Sequence, residues 1–269
     1  MSLTGELTLA LAAVAPIGLS GMSVLNRVCL VAVVLCATFW GSGVYAQVAP
    51  YEASHRGVYL EVWPVQATDY FEVEVLDADQ AIQRISEALD LIYEKSSSGA
   101  AALDELKNSG YVIIVYDPRF PPGPASLSLG TVFAAFVPDL IVADYIGTKK
   151  YPIVVSRYIV KWTTEGFASA LLHETIHGVQ HMDGRLQTWS RHDLECEASL
   201  HQERALQEFG VDKHSEQVVV HRRTLQLYSC VPFIQYMQRN TPEKMELWKT
   251  LNPDVPQLLS IFDKYLRAR

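Results

Sequence analysis

Positive charge is in short supply. The chain has 22 Lys and Arg against 30 Asp and Glu, a formal net charge of -8 over 269 residues. A protein that neutralises phosphates needs a basic face, so nucleic acid is not an expected partner, and neither is an anionic membrane surface. Long apolar runs are scarce too. The run Val28–Trp40 spans 13 residues, short of the ~20 that a membrane-crossing helix needs. Cysteine is sparse, with 4 residues, which excludes a disulfide-dense scaffold. There is no internal repeat. What remains is 49% apolar residues, enough for a packed core and incompatible with a disordered chain.

The start of the chain reads as a targeting segment. Met22 opens a short polar stretch ending at Arg27, the apolar run follows, and GSGVYA ends at Ala46. Basic end, apolar stretch and small residues before a cut are the three parts of a secretory signal. Residues 1–46 are therefore expected to be an N-terminal extension and signal peptide, starting at Met22 and cleaved after Ala46. Residues 47–269 are expected to be one exported domain, periplasmic or secreted. It has no stable membrane contact unless the signal stays uncleaved. Glu6 and Arg27 cancel, so the mature part keeps the acidic charge. Only Cys196 and Cys230 remain in it, either paired or as two buried thiols.

Alternating apolar residues over Tyr51–Val75, broken at Pro64, predict strands. Asp77 or Asp79 caps a helix running to Lys95, and SSSGAAA at 96–102 is expected to break the chain. YVIIVY at 111–116 reads as a buried strand, and Tyr151–Trp162 as a β-rich run whose Val154–Val160 part is a candidate to pair with an extended substrate. PRFPPGPASLSLG at 118–130 is a Pro/Gly-rich loop. Helices are expected over about 165–181, 191–209 and 215–238, with shorter ones to the end. The fold class is α+β: N-terminal strands and a helix, then the helices that carry the chemistry, then further C-terminal helices.

Seven of the eight histidines lie between His173 and His221. Among them is His173-Glu174-Thr175-Ile176-His177, an H-E-x-x-H on a predicted helix. Residues i and i+4 share one helix face, so both imidazoles reach one ion. Glu174 lies about 100° around the helix, placed to act on a metal-bound water without binding the metal. A zinc site of this kind needs a third protein ligand. The next helix offers Glu195 and Glu197, two apart and on different faces. The Glu195 stripe (Ala198, Ser199, Gln202, Leu206, Phe209) is mostly small or apolar and suits an inward face. The Glu197 stripe (Leu200, His201, Arg204, Glu208) is more polar, so Glu195 is preferred and Glu197 is the alternative. Two further candidates are Asp183, eleventh in a metzincin-like H-E-x-x-H-x-x-G-x-x-H/D pattern whose glycine is here Gln180, and His181.

HETIH followed by E-C-E-A-S resembles the gluzincin zinc metallopeptidases, over about residues 160–210. The resemblance implies Zn²⁺ held by His173, His177 and a glutamate on the following helix. Its E-x-x-A-D form aligns Glu195 with the ligand and Ser199 with the Asp. Its thermolysin-type form selects Glu197 and puts His201 at the Asp position. The Asp that buttresses a zinc-bound histidine is missing in both alignments. An oxyanion-stabilising residue is also implied, with Tyr158, His201, His221 and Tyr228 as candidates. The expected function is an exported zinc metallopeptidase acting on peptide or protein substrates, with Glu174 as general base on a zinc-bound water. The alternative is a catalytically inactive gluzincin-like binding module of the cell envelope.

Overall fold

A computed structural model of the chain describes residues 49–120, 133–140 and 148–269. The expected signal segment lies outside them, as does most of the Pro/Gly-rich loop. Residues from Val48 onward form one compact unit.

The fold is α+β. Strands β1 (Tyr51–His55) and β2 (Val58–Val62) form an antiparallel hairpin. Its turn uses Arg56 and Gly57, both at positive φ. Helices α1 (Ala78–Lys95) and α2 (Ser97–Ser109) cross over to β3 (Tyr111–Tyr116), which runs parallel to β2. β4 (Ala134–Phe136) and β5 (Lys150–Val155) follow, β5 parallel to β3 and β4 antiparallel to β5. The sheet order is β1-β2-β3-β5-β4, so among the described residues β4 is an edge and β5 is interior.

Alternation along the strands sorts their side chains by face. Val58, Leu60 and Val62, with Val112, Ile114 and Tyr116 and with Tyr151, Ile153 and Val155, enter one core with α1, α2 and α3 (Thr164–Met182). Ile113, Val115 and Val154 face the other way into a small cluster edged by Trp63, Phe120, Val137 and Leu140. The remaining helices are α4 (Arg191–Glu208), α5 (Glu216–Thr224), α6 (Val231–Asn240), α7 (Glu246–Lys249) and α8 (Val255–Arg267). Apart from α5, which leads into it at Leu225, they share a second core built on Leu200, Leu225, Phe233, Trp248 and Phe262.

Four expectations need correction. Residues 69–76 are not a strand. Glu72 instead pairs with the buried Arg157 at 3.0 Å, and the Leu76 amide donates to the Tyr116 hydroxyl at 3.2 Å. Side chains hold this segment where a ladder was expected. The break at 96–102 shrinks to one residue. Ser96 closes α1 and caps α2 by accepting from the Gly99 amide at 3.1 Å. The single helix over 215–238 is two helices separated by a wide π turn at Leu225–Ser229. Pro232, in the first turn of α6, has no N–H to carry a helix through. Finally, the run at 154–160 cannot pair with a substrate. Val154 and Val155 lie on interior β5, and Ile159–Lys161 form a 3-10 turn.

Candidate metal centre

Helix α3 starts at Thr163, whose side chain accepts from the Gly166 amide at 3.1 Å, and stops before Gly184 at positive φ. It is buried along most of its length, between the sheet, α1, α2 and α4. Gly178 allows the close approach: a Cβ there would lie 2.8 Å from Leu106 Cδ1. Helix α4 is capped by Ser190, which accepts from the Asp193 amide at 3.3 Å. A disulfide also holds it, at Cys196 in its second turn. Cys196 and Cys230 are bonded with Cα atoms 4.7 Å apart, which resolves the choice between pairing and free thiols.

These two helices bring His173, His177 and Glu195 together, one ligand atom from each lying within 4.8 Å of the others. The two Nε2 atoms are 3.1 Å apart. Glu195 Oε2 is 3.4 Å from His173 Nε2 and 3.9 Å from His177 Nε2. Tetrahedral zinc with bonds of ~2.0–2.1 Å sets its ligand atoms ~3.3 Å apart. The three atoms are therefore close to the edges of such a tetrahedron, and the donor set fits the ion. Cys196 is spent in the disulfide and offers no thiolate.

The electrostatics point the same way. Burial opposes a proton on His173, but the hydrogen bond to Glu195 and the charges of Glu174 and Glu195 outweigh it and raise its pKa. Burial and the neighbouring His173 push His177 down to about 4. The hydrogen bond from His173 takes Glu195 down to about 2. A positive charge is thus favoured at the point where the three side chains converge.

Glu174 lies beside this group, on the side facing β4. Its Oε2 accepts from the Phe136 amide at 2.8 Å. Burial lifts its carboxyl to about 7, against the pull of His173 and the Phe136 amide.

The alternative ligands are elsewhere. Arg185 takes both carboxylate oxygens of Glu197 at 2.7 Å and reaches Asp183 Oδ2 at 3.0 Å. His181 packs its ring on Phe136 and Tyr151, at 5.5 and 6.4 Å between centroids. Of the oxyanion candidates, Tyr158 accepts from Arg157 at 2.7 Å, Tyr228 is half-exposed, and His201 has Glu197, Arg204, Arg185 and Asp263 as charged neighbours. His221 is the one with His173 in its electrostatic surroundings. It donates from Nε2 to the Ser199 carbonyl at 3.1 Å, and burial lowers its pKa to about 4. Among the described residues, neither Ser199 nor His201 is hydrogen-bonded to His173 or His177, so neither takes the place of the missing Asp.

Three groups at the site escaped the sequence reading. They are the Phe136 amide on Glu174, Gln180 on His177, and Gln202, a hydrogen-bonding neighbour of His173. A backbone amide from another element leaves no trace in sequence. Gln180 did leave one, a polar residue one helical turn after His177, but it registered only as the absence of a glycine. No protein-family model, no curated protein and no solved structure matches the chain.

Proposed function

We propose that this chain is an exported zinc-dependent metallopeptidase of gluzincin type. The convergence of His173, His177 and Glu195 next to a buried Glu174 carries the reading. The three side chains would hold Zn²⁺, which when bound supplies a Lewis acid and lowers the pKa of water toward ~7. The other roles belong to the chain. Glu174 has one oxygen engaged by the Phe136 amide, which leaves the other to take a proton from the attacking water and pass it to the leaving amine. A carboxyl lifted to about 7 exchanges that proton readily near neutral pH. An extended peptide is a suitable substrate because β4, the strand against α3, is a sheet edge. The disulfide fits an oxidising compartment, in keeping with the signal-like N-terminus. No helix among the described residues is long and apolar enough to cross a membrane.

Elemental analysis beside a peptide-library assay tests the reading. The expected result is about one zinc per chain, lost in His173→Ala and in Glu195→Ala. Glu174→Gln should keep zinc and lose cleavage. Zinc binding with no cleavage by the wild type of any peptide in the library would favour the binding module. A wild type that takes up no zinc after reconstitution would remove the metal centre.

A further inference from the structure

The geometry points to Gln180 as the residue that positions His177, with Glu197 and Arg185 behind it in a relay that replaces the missing Asp. This inference rests on the reading of His173, His177 and Glu195 as ligands.

Gln180 is fully buried. Its side chain makes three hydrogen bonds: one to His177 Nδ1 at 2.7 Å, one to the Leu194 carbonyl at 3.0 Å and one to Glu197 Oε2 at 2.8 Å. The last two partners are acceptors only, so they fix the amide with Nε2 toward α4 and Oε1 toward His177. The opposite orientation would set an oxygen against two oxygens. With Oε1 facing it, His177 must carry its proton on Nδ1. The lone pair of Nε2 is then presented to His173 Nε2 and Glu195, where an ion belongs. The outer partner of a metal-bound histidine does this: it selects the tautomer and fixes the ring.

The relay also assigns Glu197. Its carboxylate is held by Arg185 and by Gln180, and Arg185 is anchored over the Trp189 ring at 4.8 Å. In the E-C-E triplet the first glutamate faces the ion, the cysteine locks the helix, and the second supports the ligand on the facing helix. A negative charge behind the amide polarises Oε1 and strengthens its bond to the imidazole. The buttress thus acts at one remove, as carboxylate, amide and imidazole in line.

Zinc affinity by chelator competition, with the visible spectrum of the cobalt-substituted protein, tests the relay. Gln180→Leu removes both ends of the amide and should weaken zinc binding by roughly 10–100-fold and alter the cobalt bands. Gln180→Glu keeps the acceptor for His177 but loses the donors to Leu194 and Glu197, and should also weaken binding. Combining Gln180→Glu with Glu197→Gln restores a donor facing an acceptor, and should recover most of that loss. If Gln180→Leu does not fold, the comparison of Gln180→Glu with the double variant decides. Folded variants that bind zinc as the wild type does, with unchanged cobalt bands, would overturn the relay and leave the metal centre standing. A wild type that binds neither metal would overturn both.

Discussion

Glu174 carries two demands that oppose each other. The general base proposed for this site must be ionised to take a proton, yet burial raises this carboxyl to about 7 from an ordinary value of 4.5. Linkage turns that into a measurable sign. When the folded-state pKa lies above the unfolded one, the carboxyl contributes stability that is full below 4.5 and lost as pH rises through about 7. In chelator, the urea midpoint of the wild type should therefore fall relative to Glu174→Gln between these values and level off above them. A difference independent of pH would contradict the shift. A second buried carboxylate acts through its partner. Glu203 meets Arg222 at 2.7 Å in the C-terminal core, where both side chains are nearly inaccessible. Arg222 also donates to the Leu247 carbonyl and stacks on Trp248. Glu203→Ala leaves that cation without its partner and should cost about 3–5 kcal/mol in urea unfolding. Glu203→Ala with Arg222→Met should recover part of it. At this scale the convergence of His173, His177 and Glu195 was legible in sequence, because i,i+4 spacing and stripe composition are local. The Phe136 amide was not, since it is brought to Glu174 by a strand 38 residues away in sequence.

Helix α4 serves both cores. Ala198 enters the sheet core, while Cys196 and Leu200 enter the C-terminal one. The disulfide fixes the rotation of the helix on which Glu195 must face α3. Closing a separation of 34 residues stabilises by about 4 kcal/mol in the chain-entropy account. Both cysteines are buried, so a reductant reaches the bond only through opening of the fold. Cys196→Ser with Cys230→Ser should lower the urea unfolding free energy by about that amount and weaken zinc binding as α4 gains freedom to turn. Unchanged zinc affinity would mean that packing alone sets the rotation. Element boundaries read well where one signal dominated. The helix expected over about 165–181 is α3, and an unbroken apolar run makes β3. They read badly where tertiary partners decide. The alternation at 69–76 looked like a strand, but Arg157 and Tyr116 hold it as an irregular segment. Ser96 looked like part of a break, yet one hydroxyl suffices to start a new helix.

The centre lies on the seam between the two cores. His173 and His177 belong to a helix packed on the sheet, and Glu195 to a helix bonded into the C-terminal bundle. Besides the Gln180 hydrogen bonds to Leu194 and Glu197, this junction holds the His173–Glu195 pair, whose carboxylate is one-third exposed and only weakly stabilising. An ion bound by both helices adds its full binding free energy to the folded state. Zinc at a thousandfold its Kd contributes about 4 kcal/mol, which for a unit of this size is a rise in Tm of about 8–16 °C. The rise should vanish in His173→Ala. The same coupling has a spatial signature. Removing zinc should speed amide exchange in α4 to α8 and in the C-terminal half of α3, where the seam opens. β3 and β5, central in the sheet and protected by the first core, should exchange at unchanged rates. Uniform acceleration through sheet and bundle alike would mean that the ion stabilises one cooperative unit and the seam has no separate existence.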